Sequence, residues 1–376
     1  MNENGFVSEV DTGTVVRPVL LVDEGVYRNY AVYLRRILVG LGGTAHASAV
    51  VCPGAIETSA VVCPTVEKIE YPTLRLGIFK STNQRILLER LARFKPTLIH
   101  AFTPGQADLA AFLSEALEIP FVLTFHGSPG RWHRGSKAIS EAACVMAPSK
   151  VLIERASAAY PALRGRIEHV PIGSYVEDTC ACFSRANRPA SLIAVHPLED
   201  ARLFEPLLGA VRHLALDGVE LMLVLMGTGK AERAIRRQIR ALGLTPAVTI
   251  VPPMRPLRTV LAGADVFLHL KDRGLFNAQM LEAMGVGLAV AGAADQTSGL
   301  LTDGQTAALW EGTDELSIYG CLKRLLGERD GARRLALNGQ AFLQQQCGVS
   351  CMVDKVLAVY TATQQQYKGR AASAAG

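Results

Sequence analysis

The chain has no CxxC pair. Its eight cysteines, Cys52, Cys63, Cys144, Cys180, Cys182, Cys321, Cys347 and Cys351, are scattered over 376 residues. Metal-ligand spacing is therefore absent, and free thiols in a reducing compartment are the expectation. No run of about twenty apolar residues occurs, so no membrane-spanning helix is expected. The opening residues, MNENGFVSEVDTGTVV, are acidic and polar, unlike a secretory signal. The glycine fingerprint GxGxxG is missing, which removes the usual sign of a dinucleotide site. Charged residues make up 19% of the chain and the net charge is +5. That charge is too mild for the dense basic stripe of a nucleic-acid binder. It fits an anionic small substrate or a peripheral contact with an acidic membrane face.

What is present is an ordinary globular composition, 49% hydrophobic, in a chain too long for one core. Short apolar runs alternate with amphipathic stretches, which predicts parallel sheets with helices packed on them. In the first half, strands are expected at 18–23, 46–52, 98–101, 120–125, 144–147 and 167–170. Helices are expected at 27–41, 83–94, 107–117, 137–142 and 149–158. A polar, Pro-containing stretch, EDTCACFSRANRPA, then reads as a linker. A second alternation starts at Leu192. The expected organisation is a disordered lead-in over 1–16, a first domain over 17–176 and a linker over 177–190. A second domain follows over 191–346, then a C-terminal helix over 347–364 that crosses back to the first domain, and a disordered tail over 365–376.

One stretch carries more information than the rest. Val266–Leu270 reads as a buried strand, Lys271–Leu275 as a loop, and Ala278–Met284 as a helix capped by Asn277. Glu282 lies inside that apolar helix. A buried carboxylate needs a partner, either structural or a ligand. Elsewhere, His126 and Gly25 fall at carboxyl ends of strands, where open α/β sheets bind ligands, and Gly25 would let an anion approach the following helix. Gly227, Gly229 and Lys230 follow the apolar strand LMLVLM at the same kind of edge. Arg233, Arg236, Arg237 and Arg240 read as a solvated helix face.

These residues resemble glycosyltransferase family 4. Two successive Rossmann-like halves are similar to the GT-B architecture, with two domains facing a central cleft. The resemblance is carried by Ala264–Phe267, by Phe276 with Leu281–Val290, by Leu223–Gly229 and by Thr302–Thr306. In the first half it is carried by Thr124–His126, Ala147–Ser149 and Val170–Gly173. It implies a cytoplasmic enzyme moving a sugar from a nucleoside-diphosphate sugar to an acceptor with retention, with no metal or other cofactor. The acceptor (glycan, lipid-linked or small molecule) and the oligomeric state are not read from it. It implies that Glu282 takes the ribose, Arg202 and Lys230 the diphosphate, and His126 the sugar or acceptor. Gly25, Gly227, Gly229, Phe276 and Asn277 would line the substrate. Several positions depart from the family pattern: Gly274 stands where a second glutamate is expected, with Asp272 two residues away, Pro197 stands where an arginine is expected, Arg202 stands at the lysine position, and the turn Ile172–Tyr175 lacks the usual asparagine and the later aspartate. An inactive relative that binds a glycan, a nucleotide or a partner enzyme is the alternative.

Overall fold

A computed structural model describes residues 15–44, 46–53, 66–71, 80–127, 136–185, 188–270, 275–294, 298–311 and 314–375. They divide into two compact units. The first takes the described residues of Met1–Pro148, Leu152–Pro171 and Ser350–Gly376, and the second those of Ser149–Val151 and Ile172–Val349.

The first unit holds seven strands: β1 (Pro18–Leu21), β2 (Ser48–Cys52), β3 (Val66–Glu70), β4 (Leu98–Ala101), β5 (Phe121–Thr124), β6 (Cys144–Ala147) and β7 (Ile167–His169). They pair in the order β3-β2-β1-β4-β5-β6-β7, all parallel. The helices are α1 (Glu24–Gly43), α2 (Lys80–Phe94), α3 (Ala107–Leu117), α4 (Lys137–Glu141) and α5 (Lys150–Ala159). The central strands β1, β4 and β5 are buried along their whole length, as expected where helices cover both faces of a parallel sheet. Strand β3 is new relative to the sequence reading. Only Val66 and Ile69 of its five residues are buried, and its charged positions face outward. An edge strand tolerates that pattern, which hides it from a search for apolar runs.

The second unit holds β8 (Ala190–Val195), β9 (Leu221–Met226), β10 (Val248–Val251), β11 (Val266–His269), β12 (Ala289–Ala293) and β13 (Ala308–Trp310). Their order is β10-β9-β8-β11-β12-β13, again all parallel. The helices are α6 (Glu205–Leu216), α7 (Glu232–Ala241), α8 (Leu257–Leu261), α9 (Ala278–Gly285), α10 (Glu315–Gly327) and α11 (Arg329–Gln346). In both sheets the order reverses direction beside the first strand, at β1/β4 and at β8/β11. Such a switch point opens a crevice beyond the carboxyl ends of the strands.

The stretch expected to be a linker is fastened to the second unit from its beginning. Glu177, Ala181 and Cys182 donate backbone hydrogen bonds to Gly285, Val286 and Gly287. Cys180 and Cys182 are buried in the core of that unit. Gly287 has φ +77°, and a Cβ there would stand 2.7 Å from Cys180 Cα. Asp265, 1% exposed, accepts from Phe183 N and Ser191 N and pairs with Arg188 at 2.8 Å. The unit boundary therefore falls between Pro171 and Ile172, ahead of the polar run.

The last helix, α12 (Val349–Ala375), is one continuous element where a shorter helix and a disordered tail were expected. Its Tyr360 is fully buried, and Tyr360 Oη lies 2.6 Å from His100 Nδ1. His100 Nε2 lies 2.7 Å from Thr124 Oγ1. This chain of polar groups ties the helix to β4 and β5 in the first unit. Tyr360→Phe strands the Nδ1 of a fully buried imidazole, so it should destabilise the protein by about 1–3 kcal/mol. Urea denaturation monitored by circular dichroism measures that loss, and a change below a few tenths would show the bond contributes nothing.

Candidate functional site

The crevice of the first unit is partly filled by its own side chains. Asp23 follows β1 and caps α1, with Oδ1 accepting from Val26 N at 2.9 Å. Its Oδ2 accepts from Thr103 Oγ1 at 2.8 Å, beyond β4, which bridges the switch point. Gly25 was expected to admit an anion to the start of α1. Instead a carboxylate already occupies that helix N-terminus, and a Cβ at Gly25 would stand 3.1 Å from Asp23 Oδ1. Gly25 makes room for the cap, and a second negative charge there would be repelled.

His126 lies just beyond β5 and is 4% exposed. Its ring packs edge-on against Tyr30 with centroids 4.2 Å apart, and lies 5.6 Å from both Tyr33 and Phe102. Tyr30 sits at a break in α1, with φ −130°. Neither ring nitrogen of His126 has a hydrogen-bond partner among the described residues. Burial in this aromatic setting pushes its pKa down to about 3, so the imidazole is neutral at physiological pH.

In the second unit, the turn after β9 packs tightly on the loop after β8. A Cβ at Gly227 would meet His196 O at 2.0 Å, and one at Gly229 would meet Leu198 O at 2.3 Å. Leu198 N donates to Thr228 O, and Ala231 N to Leu198 O. Both glycines are thus used for backbone-to-backbone contact. Lys230 is exposed, as are Arg233, Arg236, Arg237 and Arg240 of α7. Arg202 is exposed too, and its guanidinium grips Asp200 through Nε at 3.1 Å and Nη2 at 2.8 Å. A carboxylate from its own loop therefore already neutralises this expected phosphate ligand.

The stretch from β11 to α9 is the densest part of the site. Phe276 is buried in the core. Asn277 caps α9, with Oδ1 accepting from Gln279 N and Met280 N, while its Nδ2 lies 3.2 Å from His269 Nδ1. Asp272 and Gly274 lie outside the described residues. Glu282 is 4% exposed and does have a protein partner. Arg258 Nη1 stands 3.1 Å from Glu282 Oε2, and Ser174 Oγ stands 3.4 Å from Oε1. Arg258 also donates to Tyr175 O at 3.1 Å and to Glu177 Oε1 at 2.7 Å. A Cβ at Gly285 would stand 2.4 Å from Tyr175 O, so this crossing of chain over helix needs a glycine. Among the described residues, no group of three or more His, Cys, Asp or Glu side chains is placed to hold a metal ion.

Two family models match the chain, Glycosyltransferase Family 4 over residues 30–176 and Glycosyl transferases group 1 over residues 194–328. The chain belongs to the family 4-like GT-B glycosyltransferases. No curated protein matches it. Among solved structures, a glycosyltransferase from Rickettsia africae is 13% identical with a TM-score of 0.77, covering 93% of this chain and 99% of that one. Anabaena HepE, solved with UDP and glucose, is 16% identical with a TM-score of 0.76, covering 92% and 99%. Sucrose-phosphate synthase from Thermosynechococcus elongatus is 16% identical with a TM-score of 0.72, covering 95% and 100%. At these identities the likeness establishes the fold.

The glycosyltransferase thus brings together residues that sequence reasoning missed: Arg258 and Ser174 at Glu282, Glu177 at Arg258, and His269 beside Asn277. Arg258 is 24 positions from Glu282, and no helical or strand spacing links them. The one available signal was the buried carboxylate itself, which required a cation from somewhere.

His100, like His126, is held neutral by burial, with its pKa also lowered to about 3. For both, the unfolded chain binds a proton below about 6.5 while the folded chain does so only near 3. Stability is therefore whole above neutral pH and is lost as pH falls through that window. Between pH 7 and pH 5 the loss should be roughly 2 kcal/mol per histidine. Urea midpoints at the two pH values test this. His126→Phe should remove about one such share, and an unchanged slope would mean that His126 already charges freely in the folded state.

Proposed function

We propose that this glycosyltransferase moves a sugar, with retention, from a nucleoside-diphosphate sugar to an acceptor hydroxyl, in the cytoplasm and without a metal cofactor. The observation that carries this reading is Glu282, a buried and ion-paired carboxylate on the helix that follows β11, next to the switch point of the second sheet. It coincides with a carboxylate that the family resemblance assigns to the ribose. A carboxylate held there accepts hydrogen bonds from vicinal hydroxyls, and a charged hydrogen bond of this kind is worth about 1.5–3 kcal/mol. HepE, which shares the fold, was solved with UDP and glucose, which supports a nucleotide-sugar donor here.

The chemistry requires that negative charge accumulating on the departing diphosphate be met by fixed positive groups. Arg202 and Lys230 are the cations read for that task. Arg202 would have to exchange Asp200 for phosphate, a trade between two anions that its planar fork can make bidentately. His126, neutral and without a hydrogen-bond partner among the described residues, is read as the group toward the sugar or acceptor.

The alternative of an inactive, binding-only relative keeps one specific support, the Arg202–Asp200 pair at a position where Pro197 already removes the expected arginine. A panel of UDP, GDP and ADP sugars separates the two readings. Thermal shift identifies the nucleotide, and product formation by the purified protein alone then rejects the inactive reading. Glu282→Gln should weaken binding of the selected nucleoside diphosphate by about tenfold or more. Unchanged affinity in calorimetry would remove Glu282 from the nucleotide site.

A further inference from the structure

Arg258 is the only described cation within ion-pair distance of Glu282. It is the second residue of α8, just past the carboxyl end of β10, and its guanidinium does three things at once. Nη1 reaches Glu282 Oε2 and Tyr175 O, both at 3.1 Å, and Nη2 reaches Glu177 Oε1 at 2.7 Å. The Glu282 side chain is 6% exposed, the Arg258 side chain 22% and the Glu177 side chain 53%. The strongly buried end of this bridge is thus the carboxylate read as the nucleotide ligand, and the wet end is Glu177.

A glutamate in a helix can point its carboxylate in several directions. To accept from a ribose it must be held in one orientation. A free rotamer works against that. A guanidinium fixed through a backbone carbonyl and a second carboxylate supplies the restraint. Its rigid planar fork sets where Oε2 lies.

We propose that Arg258 is the positioning residue for nucleotide recognition, holding Glu282 in the rotamer that reads the ribose hydroxyls. This rests on the ribose role of Glu282 proposed above. Arg258 acts through Glu282, so its loss should erase discrimination between ribose and deoxyribose even where the fold persists. A guanidinium that only stitches Tyr175 and Glu177 to α8 would change stability and leave that discrimination intact.

The test uses the full chain and whichever of UDP, GDP or ADP binds most tightly, with its 2′-deoxy and 3′-deoxy counterparts, by calorimetry. Wild type should prefer the ribose form to at least one deoxy form by about tenfold or more. Arg258→Gln and Arg258→Ala should bring that ratio to within about threefold of one. Should one of the two fold too weakly to be read, the other carries the comparison. Glu177→Gln removes the wet end of the bridge only, and should keep the wild-type ratio while lowering the melting temperature as much as breaking a surface pair does. Full discrimination in the folded Arg258 variants overturns the positioning role and leaves the Glu282 reading standing. So does an equal loss of discrimination in Glu177→Gln. Full discrimination in Glu282→Gln, or no binding of any of the three nucleotides by wild type, overturns the ribose reading and this inference with it.

Discussion

Two carboxylates that are almost wholly buried govern the second unit. Asp265 stands at the start of β11 and Glu282 in α9, and neither can be left alone in a low-dielectric interior. Each recruits an arginine, Arg188 and Arg258, from a distant part of the sequence. Each is also tied to the chain that enters the unit. Asp265 takes the backbone N–H groups of Phe183 and Ser191, and the partner of Glu282 takes Tyr175 O and Glu177. The path of the described residues between 174 and 191 is thus tied down by charge neutralisation at Asp265 and at Glu282. Removing either arginine would take an ion-pair partner from a buried carboxylate, which costs more than losing a surface pair.

The same arrangement explains why a polar, proline-containing run behaves as part of a domain. Few of its side chains are large and apolar, so composition alone reads as linker. Its backbone, however, forms a series of bonds to Gly285, Val286 and Gly287, and Gln340 Nε2 donates to Glu177 O and Thr179 O. Close approach is possible because α9 ends in glycines, one with positive φ. The glycines at Gly227 and Gly229 serve a comparable end, bringing one loop onto another at a distance that a Cβ would forbid. Gly227, Gly229, Gly285 and Gly287 thus serve close packing of backbone on backbone.

The two units differ in how they present candidate ligands. The first offers a neutral histidine in an aromatic setting, with no partner for its nitrogens among the described residues. The second offers charged groups already paired with one another: Arg202 with Asp200, and Glu282 with Arg258. Under the proposed function, binding of an anionic nucleotide to the second unit would be an exchange of partners. Exchange lowers net affinity relative to free charges, and it favours ligands that satisfy every group they displace.

Most of the fold was readable from residue order, because period and punctuation are local properties. The strand LMLVLM, the Asn277 cap and the glycine stop after Met284 each declare themselves within a few residues. Strand β3 did not, since a charged edge strand carries no apolar signal, and α12 continues to Ala375, beyond its hydrogen-bonded anchor at Tyr360. In the site, the sequence identified Glu282 as a carboxylate in need of a partner and His126 as a strand-end histidine. Which cation answers Glu282 was decided by tertiary structure alone, whereas Asp200 answers Arg202 from two residues away. A pairing energy depends on distance in space, and residues 24 or 108 positions apart, as Arg258 and Ser174 are from Glu282, share no periodicity that could announce it.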